Sequence, residues 1–430
     1  MKKVSVSFIA VTLLLSMLMN ITAIGAIPVK VQGTSCEKAY SLLYDLNILT
    51  DEFRADMNPE KTMTRAQFLA LAIRVSGLDK VGGDTSKPIF SDVDVNHAYY
   101  KPIMTAAALG LISGNGEGSF NPNGKIEYTA ALKIIITMLG YSAVAEARGG
   151  YPFGYLMVAS EIHLLSGVTA DVSKNTVTQG EVIRLLRNAL DIRMMLPDAT
   201  AGDVTKYSTD ASETLLTKNH GIYTYEGILK GTKNILLSDV QRLKADKILI
   251  DGSIMNYSGK NIDDYIGMKV YYYYREESET VIALEPVNAV QNIIEVDGTD
   301  IGAFSDNYIT YYSEDSKKNI KAYIASDADI VFNGKISPDI TEADFKSNGS
   351  IIKLIDTNAD SKYDIVLITK PENIVVEKSD SQRNTIYNKY DKSKNFHVDD
   401  LTDIEFNDEF GNNMSFSELC EFDVISVVKS

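Results

Sequence analysis

Apolar residues in the first half of the chain recur at helical spacing, in three runs that each follow a polar turn. Met63-Thr64-Arg65-Ala66-Gln67 leads through Phe68, Leu69, Ala72, Ile73 and Val75 to Gly77. Ile126-Glu127-Tyr128-Thr129-Ala130 leads through Leu132, Ile135, Ile136 and Leu139 to Gly140. Val177-Thr178-Gln179-Gly180-Glu181 leads through Ile183, Leu186 and Ala189 to Asp191. Thr64 with Gln67, and Thr178 with Glu181, have the spacing of a capping box, in which hydroxyl and longer side chain satisfy two orphan N–H groups. Gly77 and Gly140 supply the left-handed residue that ends a helix. A shorter helix ends before each run, at Leu46-Asn47-Ile48-Leu49, Leu109-Gly110-Leu111-Ile112 and Ile162-His163-Leu164-Leu165. The pattern predicts three helix–loop–helix repeats, at about 36–80, 90–141 and 150–193.

Beyond residue 193 the period shortens, and β-branched and Tyr-rich runs broken by Gly, Asn and Asp read as strands. Leu196-Pro197-Asp198-Ala199-Thr200-Ala201-Gly202-Asp203 reads as a linker, extending over 194–219. A first β module, 220–290, has a strand at 248–250, a short helical or turn segment at 261–265 and a hairpin of 269–274 with 280–284. A second, 291–372, repeats the order with a strand at 330–332, a polar helix at 342–345 and a hairpin of 351–355 with 364–368. A partial third, 373–430, has Ile404-Glu405-Phe406, a polar segment at 417–420 and a strand at 423–428. That last strand has no returning partner after it. It predicts a chain that stops inside a repeat, or a strand that pairs with a distant module or another chain. The fold class is multidomain, helical first and then small β-rich, barrel-like modules.

Lys2 and Lys3, an apolar run over 4–19 and small residues at Ala23, Gly25 and Ala26 form the three parts of a secretory leader. This predicts a signal peptide over 1–26, export, and no membrane association after cleavage. A retained anchor is the alternative, but the run is shorter than the ~20 residues a membrane helix needs. Charge divides where the period does. There are 16 basic and 17 acidic residues over 27–193, but 24 and 41 beyond, giving −16 for the chain. Such acidity repels phosphate backbones and excludes nucleic acid as a whole-chain partner. Cys36 and Cys420 are the two cysteines, which excludes a disulfide scaffold or a zinc cluster.

The second repeat carries, in order, Phe90-Ser91-Asp92-Val93, His97-Ala98-Tyr99-Tyr100, the stretch from Gly110-Leu111-Ile112 through Gly114-Asn115-Gly116-Glu117-Gly118 to Asn121-Pro122, and Leu139-Gly140-Tyr141. In this it resembles a complete S-layer homology (SLH) motif. The first repeat is similar from Ala39 onward, with its Asn58-Pro59 turn and Thr64-Arg65-Ala66-Gln67 helix start; the third is similar but degenerate. The resemblance covers about 36–193. It implies a pseudo-threefold helical domain whose inter-repeat grooves bind the secondary polysaccharide of a Gram-positive-type cell wall, often a pyruvylated polymer.

An anionic sugar calls for a guanidinium fork or for helix N-terminal amides. Arg65, one position into its helix, offers both, whereas the aligned Tyr128 and Gln179 are uncharged. The acid that the family carries at the end of this motif survives as Glu181, against Gln67 and Ala130 elsewhere. The expected wall-polysaccharide residues are therefore Thr64, Arg65, Gln67, Gly114, Asn115, Gly116 and Glu181. A solvated first-turn Arg and purely structural glycine turns are the alternatives.

Asp356, Asn358, Asp360 and Asp364 have the alternate-oxygen spacing of a calcium loop, but Ser361 stands where that loop needs Gly and Leu367 where it needs Glu. A plain acidic hairpin turn is the reading preferred here, so no metal and no cofactor is expected. The run Tyr271-Tyr272-Tyr273-Tyr274 could set two rings as a sugar platform, though strand preference explains it. His163 lies in an apolar stretch and reads as packed or half-buried; the four histidines have no metal spacing, and no hydrolase or nucleotide motif occurs. The expectation is a non-enzymatic, secreted cell-wall anchor that displays an acidic β-rich region, with S-layer self-association as a further partner. The alternatives are a secreted hydrolase or carbohydrate-binding protein acting through the β region, or decayed repeats that serve only assembly.

Overall fold

The computed structural model describes residues 27–49, 51–55, 57–80, 87–168, 175–198, 206–238, 242–287, 292–305, 307–337, 340–347, 349–397 and 415–428. The predicted leader and the 404–406 strand lie outside these residues. The chain divides into two compact units, one within 1–225, 258–260 and 272–285, the other within 226–257, 261–271 and 286–430. Among the described residues no helix is long and apolar enough to cross a membrane.

The first unit opens with α1 (Glu37–Asp45), α2 (Asp51–Ala55), α3 (Arg65–Val75), α4 (Tyr100–Ala108), α5 (Tyr128–Met138), α6 (Ser142–Ala147), α7 (Phe153–Glu161) and α8 (Gln179–Asp191). The apolar positions read from the sequence are the buried ones: Phe68 and Ile73 in α3, Leu132 and Ile136 in α5, Ile183 and Leu186 in α8. Both capping boxes form, at Thr64–Gln67 and at Thr178–Glu181, while α5 starts at Glu127 with no side-chain cap.

Two sets of contacts recur along this segment. Asn47, Gly110 and His163 end α1, α4 and α7 in the left-handed conformation, with φ of 60°, 69° and 60°. In each case the next amide reaches back six residues' worth of turn: Ile48 N–H to Leu43, Leu111 N–H to Ala106 and Leu164 N–H to Ala159. His163 is thus an exposed turn residue and not a packed one. At the starts of α3, α5 and α8, three buried residues close a ring of backbone bonds. Met63 N–H donates to Val177, Val177 N–H to Ile126, and Ile126 N–H to Met63, at 3.4, 3.4 and 3.0 Å.

Within the stretch read as a linker, the described residues form paired strands and a helix. β1 (Arg193–Asp198) pairs antiparallel with β2 (Lys206–Thr214), and α9 (Leu215–His220) follows with Thr214 as its cap. Asn219 Nδ2 donates to Ser76 O at 2.7 Å, and the His220 ring bonds Val75 O at 2.9 Å, so α9 is tied to the C-terminus of α3. Its Pro, Gly and Asp content suggested turns; among the described residues the pairing of β1 with β2 overrides it.

Strands β3 (Ile222–Gly231), β4 (Lys247–Ile250), β5 (Ser253–Tyr257), β6 (Lys269–Arg275) and β7 (Thr280–Pro286) close into a barrel in the order β3-β4-β5-β7-β6. Next comes a seven-stranded sheet made from β8 (Asn292–Asp297), β9 (Ile301–Ser305), β10 (Tyr308–Ser313), β11 (Lys318–Phe332), β12 (Lys335–Ile336), β13 (Ile351–Asp356) and β14 (Tyr363–Thr369). Its order is β8-β13-β14-β11-β10-β9, with β12 on β11. The helix α10 (Glu342–Phe345) lies in the crossover that makes β11 and β14 parallel, and Phe345 is fully buried in the sheet's core. A four-stranded sheet follows, β17-β16-β15-β18, from β15 (Glu372–Asp380), β16 (Thr385–Asn388), β17 (Phe396–His397) and β18 (Val424–Val427). The strand expected to seek a distant partner is β18, and it pairs with β15 of the same sheet, at its edge.

Candidate functional site

Arg65 is placed by the cap that precedes it. Thr64 Oγ1 accepts from Gln67 N–H at 3.2 Å, and Gln67 Oε1 accepts from Thr64 N–H at 3.1 Å. The first amides of α3 are spent as well: Arg65 N–H donates to Gly124 O and Ala66 N–H to Pro122 O. The expectation that α3 offers free N-terminal amides is therefore corrected, and the guanidinium is what remains for an anion. Thr64 and Gln67 close the cap on each other, and Glu181 does the same with Thr178, its Oε2 accepting Thr178 N–H at 2.8 Å. All three side chains make capping contacts in the structure.

The guanidinium lies against the loop 114–121. Arg65 Nε donates to Phe120 O at 3.0 Å, and its Cζ stands 4.7 Å from the centre of the buried Phe120 ring. Among the described residues its Nη nitrogens carry no hydrogen bond. Burial lowers the Arg65 pKa from its ordinary value against the opposing pull of Glu127, Asp92 and Tyr151, so an added anion would relieve a half-desolvated charge.

Asp92 builds that loop, and sequence reasoning did not single it out as a site residue. Its Oδ1 accepts Phe120 N–H at 2.8 Å and its Oδ2 accepts Asn121 N–H at 2.7 Å. Desolvation pushes its carboxyl up, but these amides, its own amide and the nearby Arg65 together hold it below its ordinary value. Asn115 Oδ1 takes the amides of Glu117 and Ser119, at 3.0 and 3.2 Å. Gly114 is required where it sits: φ is +74°, and a Cβ would meet Ser119 O at 2.7 Å and the Phe90 ring at 2.8 Å. Gly116 has φ of +85° and open space around it, so of the loop's predicted residues it is the one that faces outward unencumbered.

The two aligned helix starts differ. Tyr128 is buried, and Gln179, 1% exposed, uses Oε1 to accept Asn58 N–H at 2.9 Å. Beside α5, Tyr151 is 46% exposed, bonds Thr129 Oγ1 at 2.8 Å and lies 5.4 Å from Lys133 Nζ. Tyr151 was not predicted; only its contact across 22 residues reveals it.

Asp356, Asn358, Asp360 and Asp364 form the β13–β14 turn. Asp356 accepts the amides of Ala359 and Ser361 at 2.7 and 3.0 Å, and Asp364 Oδ2 accepts Thr357 N–H at 2.7 Å. These oxygens face N–H donors, which a cation would have to displace. No group of three or more His, Cys, Asp or Glu residues among the described residues is placed to hold a metal ion.

Residues 89–127, which contain Asp92, the glycine loop and Phe120, match the family of the S-layer homology domain. This segment is similar to an SLH domain. The SLH match ends at the residue before α5 begins. The chain is also 26% identical over 306 residues to a cell surface protein of Thermoanaerobacter kivui, an alignment covering 70% of this chain and 37% of that protein. It is 24% identical to the middle cell wall protein of Brevibacillus brevis, over 60% of this chain and 26% of the relative. A surface layer protein of Brevibacillus choshinensis is 25% identical over 57% of the chain and 23% of its own length. The chain thus spans less than two fifths of each of these relatives. An alignment of 306 residues cannot fit within the first 193, so the first likeness extends into the strand-rich region. With the SLH domain, these relatives place the chain at the cell surface.

Proposed function

We propose that residues 36–193 form three SLH-like repeats and hold the chain non-covalently to an anionic secondary cell-wall polysaccharide, displaying the acidic strand-rich region outward. The closed ring of backbone bonds through Met63, Ile126 and Val177 supports a pseudo-threefold arrangement, as do the matching turns at Asn47, Gly110 and His163. The observation that carries the binding reading is Arg65: a half-buried guanidinium fixed by Nε to Phe120 O, with its outer nitrogens unpaired among the described residues. That geometry suits a carboxylate or ketal acid on a sugar. At Gln179 the buried bond to Asn58 favours the second reading, in which that entrance serves assembly alone. The proposal assigns the chain no catalytic step.

The test is retention of the full chain by purified Gram-positive-type sacculi, before and after chemical removal of the secondary polymer. Retention should vanish with the polymer. Equal retention on stripped sacculi would overturn the reading.

A further inference from the structure

Residues 272–285, most of the β6–β7 hairpin, belong to the same compact unit as the helices. Of the tyrosine run 271–274, Tyr273 is 1% exposed, so its ring is not open to a sugar. What it meets is α8. Arg187 Nη2 donates to Tyr273 Oη at 3.1 Å and to Glu285 Oε2 at 3.2 Å. The Tyr273 O–H donates to that same Glu285 oxygen at 2.8 Å, which closes a three-residue circuit. Arg187 Nη1 pairs with Asp191 one turn further along the helix. One side chain of α8 thus grips both strands of the hairpin, through Tyr273 on β6 and Glu285 on β7.

The hairpin and the segment before it are tied to the helices at two more places. In the hairpin turn, Glu276 N–H donates to Gly221 O at 3.1 Å, and Gly221 is the left-handed residue that ends α9. That helix is itself bonded to Ser76 and Val75 at the end of α3. Ser258 N–H donates to Val281 O at 3.1 Å, and two residues on Lys260 Nζ pairs with Asp45 at the end of α1, at 3.0 Å.

Burial pulls the Arg187 pKa down, but Asp191, Tyr273 and Glu285 outweigh it and hold it above its ordinary value, so the guanidinium stays charged. A largely buried charged circuit stabilises little more than apolar packing of the same shape would. It demands one geometry, however, and the loss of one member leaves the others desolvated and unpaired. We propose that the hairpin 272–285 is a strap fastened by Arg187, and that the strap and the helical region open as one cooperative unit. The helical fold is then completed by residues drawn from the strand-rich part of the sequence. The proposal stands apart from the Arg65 reading, because opening is measured without any polymer.

The test is native-state hydrogen exchange on the full chain, comparing wild type with Arg187→Met and Tyr273→Phe. In wild type, amides of 272–275 and 281–285 should share one opening with those of α8. Arg187→Met should speed exchange in both segments by about tenfold to a hundredfold, the cost of an unpaired buried charge. Tyr273→Phe keeps the ring and removes one hydroxyl, so it should speed both by about threefold to tenfold. Amides of 352–355 and 365–368, in the sheet of the second unit, should keep their wild-type rates. Acceleration confined to the hairpin, with α8 unmoved, would make the contact a local one and overturn the proposal. So would unchanged exchange in both variants, or a wild-type hairpin that opens together with 352–355 and 365–368 and not with α8.

Discussion

The helix that starts at Arg65 and the one that starts at Gln179 begin along the same backbone route. Each follows a Thr capping box, and in each the first two amides donate to carbonyls beside an Asn-Pro turn: Gly124 and Pro122 for α3, Lys61 and Pro59 for α8. One side chain separates them. Gln179 is buried and turns its oxygen inward to Asn58 N–H, closing the entrance. Arg65 uses only Nε for the equivalent contact, to Phe120 O, and stays charged at the surface. A shared frame can therefore hold either a buried amide or a half-buried guanidinium, and the residue after the cap decides which.

The largest expected change comes from removing the support of only one entrance. Gly114→Ala forces a side chain into positive φ and against Ser119 O and Phe90, so it should destabilise the chain by about 2–4 kcal/mol. It should also lower polymer retention, because the loop behind Arg65 moves. Denaturant unfolding and sacculus retention measure both; a neutral result on both would show that the loop does not position Arg65.

Gln179→Ala acts on the other entrance. It leaves the Asn58 amide without its acceptor in a part-buried place, a loss of about 1–3 kcal/mol in stability. Retention on sacculi should not change. A retention loss as large as the stability loss would make Gln179 a ligand residue and erase the contrast.

The smallest effect is in acid. Because the Asp92 carboxyl is held below its ordinary value, its contribution to the 114–121 loop is fully present above the ordinary carboxylate range and is lost as pH falls through the folded-state value. Wild type and Asp92→Asn should therefore differ in unfolding midpoint at neutral pH and converge in strong acid. A difference that grows on acidification contradicts this assignment.

The helix starts and their caps were legible because capping is local: Thr64–Gln67 and Thr178–Glu181 are three residues apart, and apolar spacing marks the buried face. The strands at 269–275, 280–286, 351–356 and 363–369 were legible for the same reason, through their alternation and flanking turns. What connects distant positions was not. Asp92 grips backbone amides 28 and 29 residues away, and an amide has no residue-specific signal in sequence. Arg187 donates to Tyr273 and Glu285, 86 and 98 residues on, where it meets a buried Tyr whose hydroxyl is pushed up by burial and by Glu285. The free amides expected at Arg65 failed likewise, because their acceptors, Gly124 and Pro122, come from a distant part of the chain.

Calorimetric titration of purified secondary wall polysaccharide into the full chain, comparing wild type, Arg65→Ala and Arg65→Lys, bears most directly on the central claim. Arg65→Ala should weaken binding by about 1.5–3 kcal/mol, the worth of a charge-assisted hydrogen bond, and Arg65→Lys should restore part of it without the bidentate fork. Wild-type affinity in Arg65→Ala, with the polymer still bound, would contradict the claim and move the site away from the start of α3.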